Sequence, residues 1–201
     1  MEIAIVADLR AAKAEKQIRF LNATRVPVTQ HLTFASAPPL FRPLGGTPTA
    51  PQHAAVEIEL TNSKSGNLGV PLPQGTVRVY QSDRQGALQF AGEDSIPHTA
   101  TDEKVKVHVG EAFDLVSERK QTDFKVIEKS VWETAWEIVL RNHRDRDADV
   151  AVLETMSGDW EVLAASHKYT KADTGTLRFD VAIPKGGETH ITYRVRMRAQ
   201  G

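Results

Sequence analysis

Glu93, Asp94 and His98 fall within six residues of one another in the segment GEDSIPHT, and Asp102 and Glu103 follow closely. Two carboxylates and an imidazole are a donor set for a divalent cation or for general acid–base work. A metal-dependent hydrolase built on these three residues is therefore one reading. The competing reading is a β-turn in which Asp94 and Ser95 bond local backbone amides and Pro97 fixes the chain. The sequence favours the turn, with Asp94 structural and neither a metal nor another cofactor expected.

A second charged group is Asp114, Glu118, Arg119, Lys120 and Asp123. On a strand, side chains alternate between faces, so Asp114, Glu118 and Lys120 share one side while Arg119 points the other way with Leu115. An inward arginine needs a carboxylate partner, for which Asp123 and Glu93 are the candidates. A buried ion pair that fixes register is the favoured reading, with Asp114, Arg119 and Asp123 structural. Asn142-His143 with His167 is a third candidate, but only folding can bring such distant residues together. There is no Gly-rich phosphate loop, no serine in a nucleophile-elbow context and no paired-histidine metalloprotease spacing. No catalytic residue is assigned.

Trp132, Trp136 and Trp160, with Tyr169 and Tyr193, are the candidates for a binding surface, because aromatic faces stack on sugar rings. Trp132 and Trp136 share a face with Ile138 and Leu140, which favours core packing instead.

The elements that must position these residues are strands. Thr76, Arg78 and Tyr80 alternate with Val77 and Val79, and Ala87 to Ala91 resumes the pattern after a Gly-containing turn, so the two runs read as a hairpin. Val105, Val107 and Val109 alternate with Lys104, Lys106 and His108; Phe113 to Ser117 and Phe124 to Glu128 read as further strands. Val131 to Leu140 fits a strand better than a helix, because the charge-dense turn Asn142 to Asp149 and another apolar run, Val150 to Leu153, follow it. Trp160 to Leu163, Thr176 to Val181 and Thr189 to Arg198 complete a series typical of an antiparallel sandwich. Towards the N-terminus, Ile3 to Val6 reads as a strand. Asp8 is placed to cap one short helix, Leu9 to Lys16. Residues 37 to 52 hold five of the ten prolines and read as a loop or linker. The strand that follows, His53 to Thr61, is expected at a sheet edge open to a protein partner or a second copy.

The expected fold is all-β: antiparallel β-sandwich(es), with an immunoglobulin-like C-terminal part. Three zones are expected: residues 1–52, 53–128 and 129–201, the last two either separate or continuous as one domain. A chain of 201 residues is long enough for a real core. A net charge of −1 supplies no general attraction for nucleic acid, which is not expected as a partner. No apolar run approaches the length of a membrane span. The opening residues, with an acid at position two, do not read as a signal peptide. With no cysteine, disulfides are excluded, while cytoplasm and periplasm both stay open.

Five segments carry a resemblance: NLGVPLPQGTVRVYQSD (Asn67 to Asp83), LQFAGEDSIPHT (Leu88 to Thr99), VGEAFDLVSERKQTDF (Val109 to Phe124), LRNH (Leu140 to His143) and GDWEVLAASH (Gly158 to His167). Together they resemble the C-terminal domain of the mucoidy inhibitor A-like proteins, a widespread bacterial family of unknown function, over roughly residues 54 to 198. Such proteins usually carry an N-terminal domain and a coiled coil ahead of this region, so the chain is expected to be a fragment or a domain-only form. The resemblance implies no catalytic residues. The family name implies a link to exopolysaccharide and hence to the cell envelope. The expected function is a non-catalytic β-sandwich module for interaction or assembly. The alternatives are the hydrolase on Glu93, Asp94 and His98, and a carbohydrate-binding module.

Overall fold

In the computed structural model, which describes residues 2–10, 17–37, 42–82 and 87–199, the chain is all-β. The strands are β1 (Glu2–Arg10), β2 (Gln17–Pro27), β3 (Thr29–Ala35), β4 (Gln52–Thr61), β5 (Gly75–Ser82), β6 (Leu88–Ile96), β7 (Lys104–Glu128), β8 (Val131–Asn142), β9 (Ala148–Thr155), β10 (Asp159–Ala165), β11 (Tyr169–Asp173), β12 (Thr176–Ile183) and β13 (Glu188–Arg198). Among the described residues the one helical element is a single 3₁₀ turn, Lys64–Gly66. Asp8, Leu9 and Arg10 lie in β1, where Asp8 stands in register with Arg19 and Thr76, so Asp8 does not cap a helix. Residues 11 to 16 of the expected helix lie outside the described residues.

The chain divides into two compact units, each made of two separated segments: Met1–His31 with Ala55–Glu111, and Leu32–Ala54 with Ala112–Gly201. In the first unit, an antiparallel sheet has the order β2-β1-β5-β6. Its core is almost wholly aliphatic: Val77 and Val79 of β5 and Ile96 of β6 pack with Ile58, Leu60, Val105 and Val107. The alternation read at Lys104 to Val109 has this cause, since Val105 and Val107 turn inward and their lysine neighbours do not.

In the second unit, β10-β13-β8-β7 form one antiparallel run. The other run is β3-β9-β12-β11, in which β3 and β9 are parallel. The two runs bury their faces against each other: the Phe179 ring of β12 lies 5.8 Å from that of Tyr193 in β13. Alternation again decides who is inside. On β8, Thr134, Trp136, Ile138, Leu140 and Asn142 are buried, and on β9 Ala148, Val150, Val152 and Glu154 are.

Two further expectations need correction. The runs Lys104 to Val109, Phe113 to Ser117 and Phe124 to Glu128 are one 25-residue strand, β7. Gly110 lies within it rather than ending it: φ is 125° there, a value open to a residue without Cβ. And β4 is not an edge. It lies between β7 and β3 in the sheet order, with Ala54, Ile58 and Leu60 buried, so its backbone has no free side to offer a partner.

Candidate functional site

Glu93, Asp94 and His98 do not converge. Gly92 to Ile96 belong to β6 rather than to a turn, so Glu93 and Asp94 point to opposite sides of the strand. Glu93 pairs with Arg78 on β5 at 3.0 Å. Asp94 accepts from the Ser95 amide at 2.7 Å through Oδ1 and from the His108 amide at 2.9 Å through Oδ2, which ties β6 to β7. Gly92 permits that approach, because a Cβ there would come within 2.4 Å of the Val109 carbonyl oxygen. His98, beyond the strand, accepts from the Gln74 amide through Nδ1 at 3.2 Å. Among the described residues no three histidine or carboxylate groups stand close enough to hold a metal ion.

The charged group of β7 is also committed to protein partners. Asp114 takes Arg144 at 2.9 Å, and this hydrogen bond holds its carboxyl below the ordinary range. Asp123 takes Arg194 at 2.7 Å, with the same consequence. Glu118 takes Arg141 at 3.1 Å. Arg119 points inward, beside Leu115, Ser117 and Gln121. Its partner is neither Asp123 nor Glu93 but Glu154 of β9, at 2.8 Å.

Around that pair lies the densest polar arrangement of the second unit. Arg119 Nη2 donates to the Tyr193 hydroxyl at 3.1 Å, and that hydroxyl donates to Glu154 Oε2. Ser36 adds a hydrogen bond to the Glu154 carboxylate. The guanidinium lies over the Trp136 ring, 3.5 Å from its centroid. Burial pushes the Glu154 carboxyl up from its ordinary value, against the pull of Arg119. Burial, then the neighbouring carboxylate, pushes the Tyr193 phenol far up, which keeps it a donor. Burial also works against the charge of Arg119, but Tyr193 and Glu154 outweigh it and hold the guanidinium above its ordinary value. The Glu154 carboxylate is thus bonded to a guanidinium and two hydroxyls and its side chain is 2% exposed. This cluster holds two strand layers in register.

Buried amides extend the same pattern. Gln121 donates to the Thr134 hydroxyl at 3.0 Å and accepts from the Leu44 amide at 2.7 Å. Nearby, the Thr49 amide donates to the Arg119 carbonyl and the Arg119 amide donates to the Thr49 hydroxyl, so the proline-rich loop is stitched along β7. Asn142 donates to the Arg146, Ile183 and Pro184 carbonyls. His143 is exposed beside this turn, whereas the His167 Nδ1 bonds Ser166 at 2.8 Å, so the two histidines have separate surroundings.

The aromatic candidates lie mostly inside. Trp136, Trp160 and Tyr193 are buried, Trp132 is half-buried, and Tyr169 is exposed. Trp160 donates through Nε1 to the Thr174 carbonyl at 2.7 Å, with the Lys171 ammonium 4.1 Å from its ring centroid. The residues that sequence reasoning missed are Glu154, Ser36, Gln121 and Asn62. For Glu154 a signal existed: in Val150-Ala151-Val152-Leu153-Glu154 the alternation that turns both valines inward also turns the glutamate inward.

Several large apolar side chains are exposed. Leu88 and Phe90 on β6, and Phe113, Val126 and Ile127 on β7, present large hydrophobic side chains to solvent, Phe113 at 76%. Phe90 meets Tyr80 edge-on at 5.7 Å, and Phe113 meets His53 edge-on at 5.4 Å. No helix among the described residues is long and apolar enough to cross a membrane. Comparison with protein-family models, with curated proteins and with solved structures finds no match to this chain.

Proposed function

We propose that the protein is a non-catalytic β-sandwich interaction or assembly module that docks another protein. The observation that carries this reading is the set of large apolar side chains left exposed on strands, with Phe113 the most exposed. The charged residues that chemistry would need support it from the other side, since each is bonded to backbone or to an opposite charge. The resemblance to the mucoidy inhibitor A-like C-terminal domain adds an association with the bacterial cell envelope to the proposal. The strand spacing of the C-terminal part, residues 129–201, supports an immunoglobulin-like variant of the sandwich.

Photocrosslinking tests the proposal. A photoreactive phenylalanine analogue at Phe113 or Phe90 is expected to give one discrete protein adduct in cells, and the analogue at paired Arg178 none. Absence of adducts, together with divalent-cation binding that Asp94→Asn abolishes, would overturn it in favour of the hydrolase on Glu93, Asp94 and His98.

A further inference from the structure

The second unit has an edge that is left unguarded. β10 pairs with β13 on one side and, among the described residues, with no strand on the other. Exposed edges are usually protected by lysine, proline or inward charge. The C-terminal half of β10, Val162-Leu163-Ala164-Ala165, carries none of these. Its register against β13 slips at Leu163, which has no partner there. Such a bulge re-aims its side chain, and Leu163 is 38% exposed. Between this half-strand and the start of β11 runs an open trough of about 640 Å³, lined by Val162 to Ala165, by His167 and Lys168, and by Tyr169. The two alanines leave room on its floor for larger side chains of an incoming chain.

Charge selects the occupant. Among the described residues Lys168 has no carboxylate within ion-pair distance, whereas Arg141, Arg144, Arg178, Arg194 and Arg196 all do, and Lys171 is held on the Trp160 ring and carbonyl. Of the acids at this corner, Asp173 accepts from the Gly175 amide and the Thr176 hydroxyl, and Glu161 stands in register with Arg196 of β13. The trough is therefore apolar at its base and cationic at its rim.

We propose that this trough receives an extended, acidic segment of a partner protein, added as a strand to the free edge of β10. Backbone bonds to β10 supply affinity, alternate apolar side chains fill the space over Ala164 and Ala165, and the intervening carboxylates face Lys168. This rests on the interaction-module reading and names its docking site and the chemistry of its partner.

The probe is a synthetic peptide, Val-Glu-Val-Glu-Val-Glu-Val, titrated into the full chain by amide NMR, with the lysine counterpart as control. The acidic peptide is expected to shift the amides of Val162 to Ala165 and of Lys168 and Tyr169. Its affinity is expected to fall about tenfold in Lys168→Glu, as like charges are brought together. It is also expected to fall in Ala164→Lys, a variant at an exposed position whose unchanged tryptophan unfolding midpoint certifies the fold. Equal binding of the lysine peptide, or shifts confined to other strands, would overturn the proposal. So would a dimer by light scattering that Ala164→Lys dissolves, which would assign the edge to a second copy. If crosslinks at Phe113 and Phe90 still capture a partner while the peptide leaves the trough untouched, this inference fails and the module reading stands.

Discussion

The two units solve the problem of burying a sheet face in different ways. The first packs aliphatic side chains on one another and keeps its charges outside, as with Glu59 beside Lys104 and Lys106. The second buries Trp136, Phe179 and Tyr193 and seals a guanidinium and a carboxylate among them. Aliphatic packing is non-directional, so its strength follows the area removed from water. A buried ion pair is directional, and removing one member leaves the other uncompensated. The first interior is thus held by volume, the second also by a specific pairing of β7 with β9.

Glu154→Leu gives the largest effect expected from this difference. It leaves Arg119 charged and buried, at a cost of about 3–5 kcal/mol. All three tryptophans lie in the second unit, so a urea transition followed by tryptophan fluorescence reads it there. The double variant Arg119→Met/Glu154→Leu is expected to recover most of the loss. A double variant no more stable than the single one would show that lost packing, not the stranded charge, is responsible.

Ile58→Ala is the matching probe of the first unit, where Ile58 is fully buried among valines and leucines. The cavity and lost transfer energy are expected to cost about 3 kcal/mol, read as faster amide exchange at Val77, Val79, Val105 and Val107. Ile58→Val, which removes one methyl, is expected to cost about 1 kcal/mol. This graded response marks an interior held by volume. An equally large loss from Ile58→Val would break the contrast.

In one respect the units are alike, and there the comparison predicts equality. Each ties its loops with a buried asparagine. Asn62 donates to the Val70 and Ala100 carbonyls at 2.8 and 2.9 Å and accepts from the Gly69 amide at 3.0 Å. Asn142 does the same for the turns at Arg146 and Pro184. Asn62→Ala and Asn142→Ala each strand buried carbonyls, so each is expected to cost about 1–3 kcal/mol in urea denaturation. A neutral Asn62→Ala would show that water replaces the amide there.

Much of the second interior is legible along the chain, because strand parity alone places Leu115 and Arg119 together and Trp136, Ile138 and Leu140 together. Parity also shows that Arg119 needs a carboxylate. It does not show which strand lies opposite, so it offers Asp123 and Glu93 as partners, while the actual one, Glu154, is 35 positions away. The same blindness explains β4. Whether a strand has one neighbour or two depends on pairing between distant segments, and the alternation in AAVEIEL is the same in either case. Gly92 misled for another reason: beside Asp94, Ser95 and Pro97 it reads as a turn residue, but it is there because the backbone of β7 passes too close for a side chain.

The smallest effect lies on the outer face of the second unit, where charges are paired in water rather than sealed. His190 of β13 bonds Glu188 at 3.1 Å and Glu137 of β8 at 3.3 Å, and Arg141 approaches Glu188 at 3.5 Å. The hydrogen bond to Glu188, and then that to Glu137, raises the imidazole above its ordinary 6.5. The same bond lowers Glu188 below its ordinary 4.5. A raised histidine contributes stability that is complete below its unfolded value and disappears as pH rises through the folded one. A lowered glutamate contributes above its unfolded value and loses this as pH falls through the folded one. Both contributions therefore coexist in a window from about 4.5 to about 6.5, and solvent screening keeps them small. The His190 ring, followed by NMR, is expected to titrate above 6.5 in the native protein and to move back towards it in Glu188→Gln, with the unfolding midpoint nearly unchanged. A ring midpoint that Glu188→Gln leaves in place would mean that Glu137 alone sets it. A large fall in stability would mean that this face, like the interior beneath it, depends on its charges.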